Sequence, residues 1–171
     1  MPNQPIKRQK ELQPLSRDHH HGLLFCWKIR SGVKRGKAVS RLKAHASWFW
    51  NTHLIPHFEE EERVVFPILG SENELVQQAL AEHSELEKLF SQEEMDYEFL
   101  NYLQVAVEKH IRFEERILFN HIQEIADADQ LAAVSRHNSE AKDVPEWEDD
   151  YWNWQKAETT QPTDNFSPQQ E

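Results

Sequence analysis

Glycine, cysteine and long apolar runs are all scarce in this chain, and each shortage excludes something. Four glycines occur among 171 residues, three of them (Gly22, Gly32, Gly36) near the start. A sheet protein of this length needs more tight turns, and no stretch sustains strict polar–apolar alternation. One cysteine, Cys26, leaves no internal disulfide and no thiolate metal site, and is compatible with a reducing compartment. Apolar runs such as "LLFCW" fall far short of the roughly 18 residues that cross a bilayer. The opening stretch "MPNQPIKRQKELQP" lacks the apolar centre of a secretory leader, so a soluble, cytoplasmic protein is expected. Positive charge is short as well: 19 Lys and Arg stand against 30 Asp and Glu, a net charge of −11. That balance argues against nucleic acid or an anionic membrane surface as a partner.

What is present is helical periodicity and histidine, and the expected class is all-α. Residues 1–14 are polar and proline-bearing and read as a flexible N-terminal segment. Ser16 is a candidate cap for a first helix carrying Leu23, Leu24 and Trp27 inward, and "RSGVKRGK" reads as the loop after it. A second helix should start near Ala38, face inward with Trp50, Leu54, Val64, Val65 and Ile68, kink at Pro56, and end at Pro67 and Gly70. A third is expected over 71–90, with Leu80 among its inner residues, and a fourth over roughly 96–125, with Ile117 among its own. "DADQLAAVSRH" reads as a short fifth. Four long amphipathic helices with short connections predict an up-down-up-down four-helix bundle over 15–137. Residues 138–171 form an acidic, Trp-rich tail. Its "VPEWEDDYWNW" is expected to fold back over the bundle's end rather than wait for a protein partner, and the Thr/Pro/Gln stretch beyond to be disordered.

One decapeptide is written twice. "HFEEEERVVF" begins at position 57 and "HIRFEERILF" at position 110; both read His, three residues, Glu-Glu-Arg, two aliphatics, Phe. In an antiparallel bundle, residues equidistant from a turn share a height along the axis. For His57 and His83 the midpoint is 70, at Gly70; for His83 and His110 it is 96.5, at the end of "SQEEMD"; for His20 and His57 it is 38.5, just past "SGVKRGK". The four imidazoles are therefore expected in one layer. Apolar neighbours at helical spacing put them on inner faces, and Glu61 and Glu114, four residues after His57 and His110, follow them inward. Around the first helix the choice is between His20, with Leu23, Leu24 and Trp27 on its stripe, and His19, with Leu23 and Cys26; the larger side chains favour His20.

Four imidazoles and two carboxylates in one buried layer are costly unless cations pair with them. Imidazole with carboxylate suits iron, and manganese or zinc less distinctively. Each of two ions would take two histidines, with both carboxylates bridging. The metal-ligand set is thus His20 (or His19), His57, Glu61, His83, His110 and Glu114, with Glu87 a candidate acceptor for an imidazole N–H. His45, His121 and His137 fail the height test and are expected at the surface, and His53 at the surface or lining the site.

The segments "LSRDHHHGL", "HFEEEERVVFP", "LAEHSEL" and "HIRFEERILF" together resemble the hemerythrin-like, or HHE cation-binding, family over roughly residues 15–125. The resemblance implies a four-helix bundle around a non-haem di-iron centre, oxo- or hydroxo-bridged. It also implies a small ligand such as O2 or NO. The oxygen-carrying members look like His-x-x-x-His on the third helix and His-x-x-x-x-Asp on the fourth. This chain has Glu87 in place of the second histidine, and its acid Glu114 follows at four residues rather than five. The more symmetric set does not imply reversible oxygen carriage. It is more similar to bacterial iron-centre repair proteins and to the hemerythrin domain of the eukaryotic F-box iron sensor. No cysteine precedes the first helix, so the repair function is not carried over. The functions to weigh are binding or sensing of iron, O2, NO or redox state; di-iron oxidoreductase activity toward peroxide or nitric oxide; and a metal-free interaction bundle.

Overall fold

The computed structural model describes residues 6–138 and 145–153. Among these residues the chain is all-helical, with five helices and no strand, and no helix is long and apolar enough to cross a membrane. A 3-10 turn, Lys10–Leu12, leads into α1, Gln13–Lys34. Helix α2 spans 39–68 and contains two π turns, Trp50–Leu54 and Glu61–Val65, and a closing 3-10 turn, Phe66–Ile68. Helix α3 is Glu74–Phe90. Helix α4 spans 97–125 with one π turn, Glu114–Leu118, and α5 is Ala128–Asn138.

Local chemistry sets these limits. Pro14 sits in the first turn of α1, where a missing N–H costs nothing. Asn73 accepts from the N–H groups of Leu75 and Val76, and Asp96 from that of Phe99, which starts α3 and α4. Asp127 and Gln130 cap each other's backbone N–H groups at 2.8 and 3.0 Å, a reciprocal box that opens α5. Helix α1 closes in a Schellman turn around Gly36 at φ +63°, with Lys37 N–H donating to Gly32 O and Gly36 N–H to Val33 O. Gly70, at φ +87°, ends the 39–68 stretch as the sequence predicts.

Consecutive long helices run antiparallel. His19 meets His57, Phe25 stacks on Phe49 at 4.2 Å, and Gly32 abuts Leu42, stepping up α1 and down α2. Phe66 lies against His83 and Trp50 against Phe90 between α2 and α3. Helix α1 also lies along α4: Gly22 faces Ile111, and the Cys26 thiol donates to Gln104 O at 3.2 Å. The apolar core is split in two. One half gathers Phe25, Ile29, Leu42, Phe49, Leu86 and Leu100; the other gathers Leu12, Leu15, Val65, Val76, Leu118 and Val134.

Several sequence expectations need correction. The segment read as a loop, "RSGVKRGK", is helical through Lys34. Gly32 is there for close packing, since a Cβ would stand 2.4 Å from Leu42 Cδ2 and 2.9 Å from the Tyr151 ring. Ser16 caps nothing; it lies inside α1 and donates to Glu115 Oε1 at 2.7 Å. The inner face of α1 is Leu15, Gly22, Cys26 and Ile29, while Leu24 and Trp27 are 40% and 46% exposed. Ile117 is 51% exposed and Leu80 is also outside, while Leu118 is fully buried. Of the N-terminal segment, residues 1–5 lie outside the described residues, and the rest is held. Arg8 binds Glu115 and Asn120, Gln9 N–H donates to Gln123, and Leu12 is buried. Residues 145–153 lie over the end of α1 and the start of α2; Trp154 and the Thr/Pro/Gln stretch fall outside the described residues.

Candidate metal centre

Between the two apolar halves lies a polar layer of one histidine from each long helix, His19, His57, His83 and His110, with Glu61 and Glu114; all six are buried. The spacing of four residues from His57 to Glu61, and from His110 to Glu114, stacks each pair on one helix face. Both glutamates also occupy the first position of a π turn. That turn takes an extra residue, so the next inward positions are Val65 and Leu118, four after each glutamate, and the apolar stripe is re-phased.

The imidazoles point Nε2 inward. His57 Nε2 lies 2.9 Å from Glu61 Oε1, and His19 Nε2 lies 2.9 Å from Glu114 Oε2 and 3.5 Å from Glu61 Oε1. Across the layer, His110 Nε2 is 3.2 Å from Glu114 Oε1, and His83 Nε2 is 3.3 Å from Glu61 Oε2 and 3.5 Å from Glu114 Oε1. Each carboxylate thus turns one oxygen to each histidine pair. Two donor sets result, His19–His57–Glu61–Glu114 and His83–His110–Glu61–Glu114, each with its ligand atoms within 4.8 Å of one another.

All four carboxylate oxygens, and Nε2 of His83 and His110, are buried without a hydrogen-bond partner. Leaving ionised oxygens so placed costs several kcal/mol apiece in general. His19 Nε2 and His57 Nε2 stand 3.0 Å apart, the separation of two nitrogens at about 2.1 Å from one ion at a right angle. The donor set fits a metal ion: these six orphaned atoms are of ligand type, and they converge. Nitrogen and oxygen donors without a thiolate fit iron, manganese or zinc; Cys26, tied to Gln104, takes no part.

The outward nitrogens are held in a ring. His57 Nδ1 lies 3.0 Å from Asp18 on α1, His83 Nδ1 lies 2.8 Å from Glu62 on α2, and His19 Nδ1 lies 2.6 Å from Glu115 on α4. His110 Nδ1 faces Glu82 on α3 at 3.5 Å, too far for a hydrogen bond. Each imidazole is therefore faced by a carboxylate from the preceding helix around the ring. An Nδ1–H donated to a carboxylate leaves the Nε2 lone pair free for a metal.

Charge in the layer is strongly coupled. Burial alone would lower His57 and His83, but Glu61 and Asp18 raise His57 to about 9, and Glu114 and Glu61 raise His83 to about 10. Burial and the neighbouring Glu114 push Glu61 up, yet His57 and His19 outweigh both and hold it at about 2. Glu114 is likewise held well below the carboxylate range by His110, His19 and His83 against burial. The site therefore demands positive charge, which protons supply when no metal is bound.

The layer has two different sides. Glu61 and Glu114 close one, a turn onward along α2 and α4. On the other lies a small apolar chamber of about 10 Å³, bounded by residues a turn back on α2 and α4 (Leu54, Val107) and a turn onward on α1 and α3 (Gly22, Leu86).

The structure brings His57, Glu61, His83, His110 and Glu114 together in one buried layer. His20 is not among them: it is exposed, and His19 takes its place because the inner face of α1 follows Gly22 and Cys26. Glu87 is exposed, and Glu62 faces His83 instead. His45 is buried rather than at the surface, with Nδ1 2.6 Å from the Tyr151 hydroxyl and its ring stacked on Trp147. Asp18, Glu62, Glu82 and Glu115 are not singled out by the spacing of the histidines. A signal exists for them: an acid directly precedes His19 and His83, and an acid directly follows Glu61 and Glu114. Comparison with family models, with curated proteins and with solved structures finds no match, so the site's own geometry carries the functional argument.

Proposed function

We propose that this chain is a hemerythrin-like protein whose four long helices form an up-down-up-down bundle around a non-haem di-iron centre. His19 and His57 would hold one iron and His83 and His110 the other, with Glu61 and Glu114 bridging. The bound irons would supply an exchangeable, redox-active position for a small ligand, and the function is binding or sensing of O2, NO, redox state or iron in the cytoplasm. The observation that carries this reading is that both buried carboxylates turn one oxygen to each histidine pair and find no hydrogen bond. Manganese or zinc would satisfy the same atoms with less distinctive chemistry.

Metal analysis with an absorption spectrum of freshly purified protein tests the proposal. The expected result is about two irons per chain and a visible spectrum that changes with oxygen, reductant or azide. Metal-free protein after expression in iron-rich medium overturns it and returns the chain to an interaction bundle. The chamber beside the layer favours a second reading, a di-iron oxidoreductase acting on peroxide or nitric oxide. Steady turnover, lost in Glu61→Ala and Glu114→Ala, would separate that activity from binding alone.

A further inference from the structure

The chamber beside the histidine layer is not isolated. A second cavity, of about 560 Å³, lies between residues 18–28 in the middle of α1, residues 45–53 of α2 and the segment 145–153, which roofs it with Pro145, Glu146, Trp147 and Trp152. The two cavities share three lining residues: Asp18, Phe49 and His53. Resting on the metal reading above, we propose that a small uncharged ligand reaches the centre from this outer cavity, and that the His53 side chain is the gate between outer cavity and chamber.

Of the three shared residues, two are fixed. Asp18 is tied to His57 at 3.0 Å, and Phe49 is buried in a parallel stack on Phe25. His53 is held differently. Its ring lies against Phe49 at 4.9 Å and edge-on to Trp48 at 5.2 Å, and no hydrogen bond among the described residues fixes it. It also belongs to the π turn Trp50–Leu54, where Ile55 N–H reaches back to Trp50 O just before Pro56. Such turns loosen the regular backbone ladder and recur at functional positions. A ring pinned only by ring contacts can swing without breaking a buried hydrogen bond.

The lining sets the ligand class. The chamber has room for one water-sized molecule and is bounded mainly by apolar side chains besides the metal-side histidines. A hydrated ion would have to shed its water there without replacement, whereas a neutral diatomic sheds almost none. The glutamates lie on the opposite side of the layer, and the chamber reaches His19, His57 and His110 directly. The outer cavity is large enough for a much bigger molecule; selection by size falls at His53.

The test is nitric oxide association with iron-loaded, reduced protein, followed by stopped-flow absorbance. Iron content and nitric oxide uptake of the unsubstituted protein are established first, and their absence would sink the metal reading rather than the path. With uptake established, His53→Trp should slow association on the order of tenfold, and His53→Ala should speed it by several-fold, within the range over which association rates vary among variants. A gate changes association and dissociation by the same factor, so affinity stays near its original value. A residue that merely supports the fold has no reason to do that. Trp48→Ala, which removes the ring that His53 meets edge-on, should also speed association. If His53→Trp fails to load iron, the other two variants decide. Unchanged rates in all iron-loaded variants, or a change in affinity with no matched change in both rates, overturn the proposal.

Discussion

Glu61 and Glu114 stand in equivalent places on α2 and α4. Each is the first residue of a π turn, each follows an inward histidine by four residues, and each turns one oxygen to one histidine pair and the other oxygen to the other pair. Two features of the molecule follow from that equivalence: two adjacent donor sets share both anions, and the core below them is re-phased. The shared anions also make the sites unequal in what a substitution removes.

Histidine and glutamate variants should therefore lose metal in different amounts. His57→Ala removes a donor from the His19 set alone, so content should fall from about two ions per chain to about one. Glu61→Ala or Glu114→Ala removes a donor from both sets and should leave well under one. Elemental analysis of purified variants, with circular dichroism to confirm folding, checks this. Equal losses in the two classes would contradict shared ligation.

The acids around the ring should rank by their hold on Nδ1. Loss of an outer partner typically costs 10–100-fold, roughly, in metal affinity. Glu115→Gln should cost the most, because Glu115 lies 2.6 Å from His19 while also accepting from Ser16 and pairing with Arg8. Glu82→Gln should cost the least, since His110 Nδ1 stands 3.5 Å away. Asp18→Asn and Glu62→Gln fall between. Competition against a chelator of known affinity gives the order directly.

The layer itself was legible in the sequence because it depends on two things a sequence states openly: spacing of four along a helix, and equal counts of residues either side of a turn. The identity of the α1 ligand was not. Leu24 and Trp27 outweighed Gly22 and Cys26 in the choice of face, although small residues mark where α1 comes closest to α4; a Cβ on Gly22 would lie 2.5 Å from Ile111 Cδ1. Regular helical spacing puts Ile117 inward, and the π turn at Glu114 puts Leu118 there instead. His45 was unreadable for another reason: its partners Trp147 and Tyr151 come from a distant segment, and no local pattern announces them.

Proton and metal should compete in the layer. His57 and His83 titrate at about 9 and about 10, above their ordinary 6.5. In the metal-free protein their contribution to stability is full below 6.5 and is lost as pH rises through those values. Glu61, held at about 2, contributes above its ordinary 4.5 and loses that contribution as pH falls toward 2. Metal-free protein should be most stable between these ordinary values, with thermal midpoints falling on both sides. Metal-loaded protein should keep its alkaline stability, because the ion replaces the protons, and loading should release protons to the buffer. Calorimetry in two buffers of different ionisation enthalpy measures the release. A metal-free midpoint that rises steadily from pH 7 to 10 would contradict the assignment.

Acid should undock the segment 145–153. Burial, then Lys28, pulls His45 down to about 3, so the docked imidazole is neutral and Tyr151 closes on it. A group depressed from 6.5 stabilises the docked state above 6.5 and loses that contribution as pH falls toward 3. Tryptophan fluorescence, with Trp147 stacked on His45, should report the release over that window. Tyr151→Phe leaves His45 Nδ1 buried without its partner and should cost about 1–3 kcal/mol of docking. A fluorescence profile flat from pH 7 to 3 would rule this out.

The same dock fixes what Gly32 can tolerate. In an exposed helix, Gly→Ala gains about 1 kcal/mol from backbone entropy. At Gly32 the added carbon would meet Leu42 Cδ2 at 2.4 Å and two Tyr151 ring atoms at 2.9 and 3.0 Å. The leucine methyl can swing aside, but the Tyr151 ring is held by its hydroxyl to His45 and is buried. Overpacking of this kind costs typically about 1–3 kcal/mol, so the balance at Gly32 should fall on the destabilising side. Gly22→Ala is the control: its added carbon would meet only the flexible end of Ile111, so its cost should be smaller and should shrink further with Ile111→Val. Chemical denaturation of the two single variants and the paired variant separates ring from methyl. Gly32→Ala matching or exceeding the parent in stability would mean that residues 145–153 do not sit on the helix in solution.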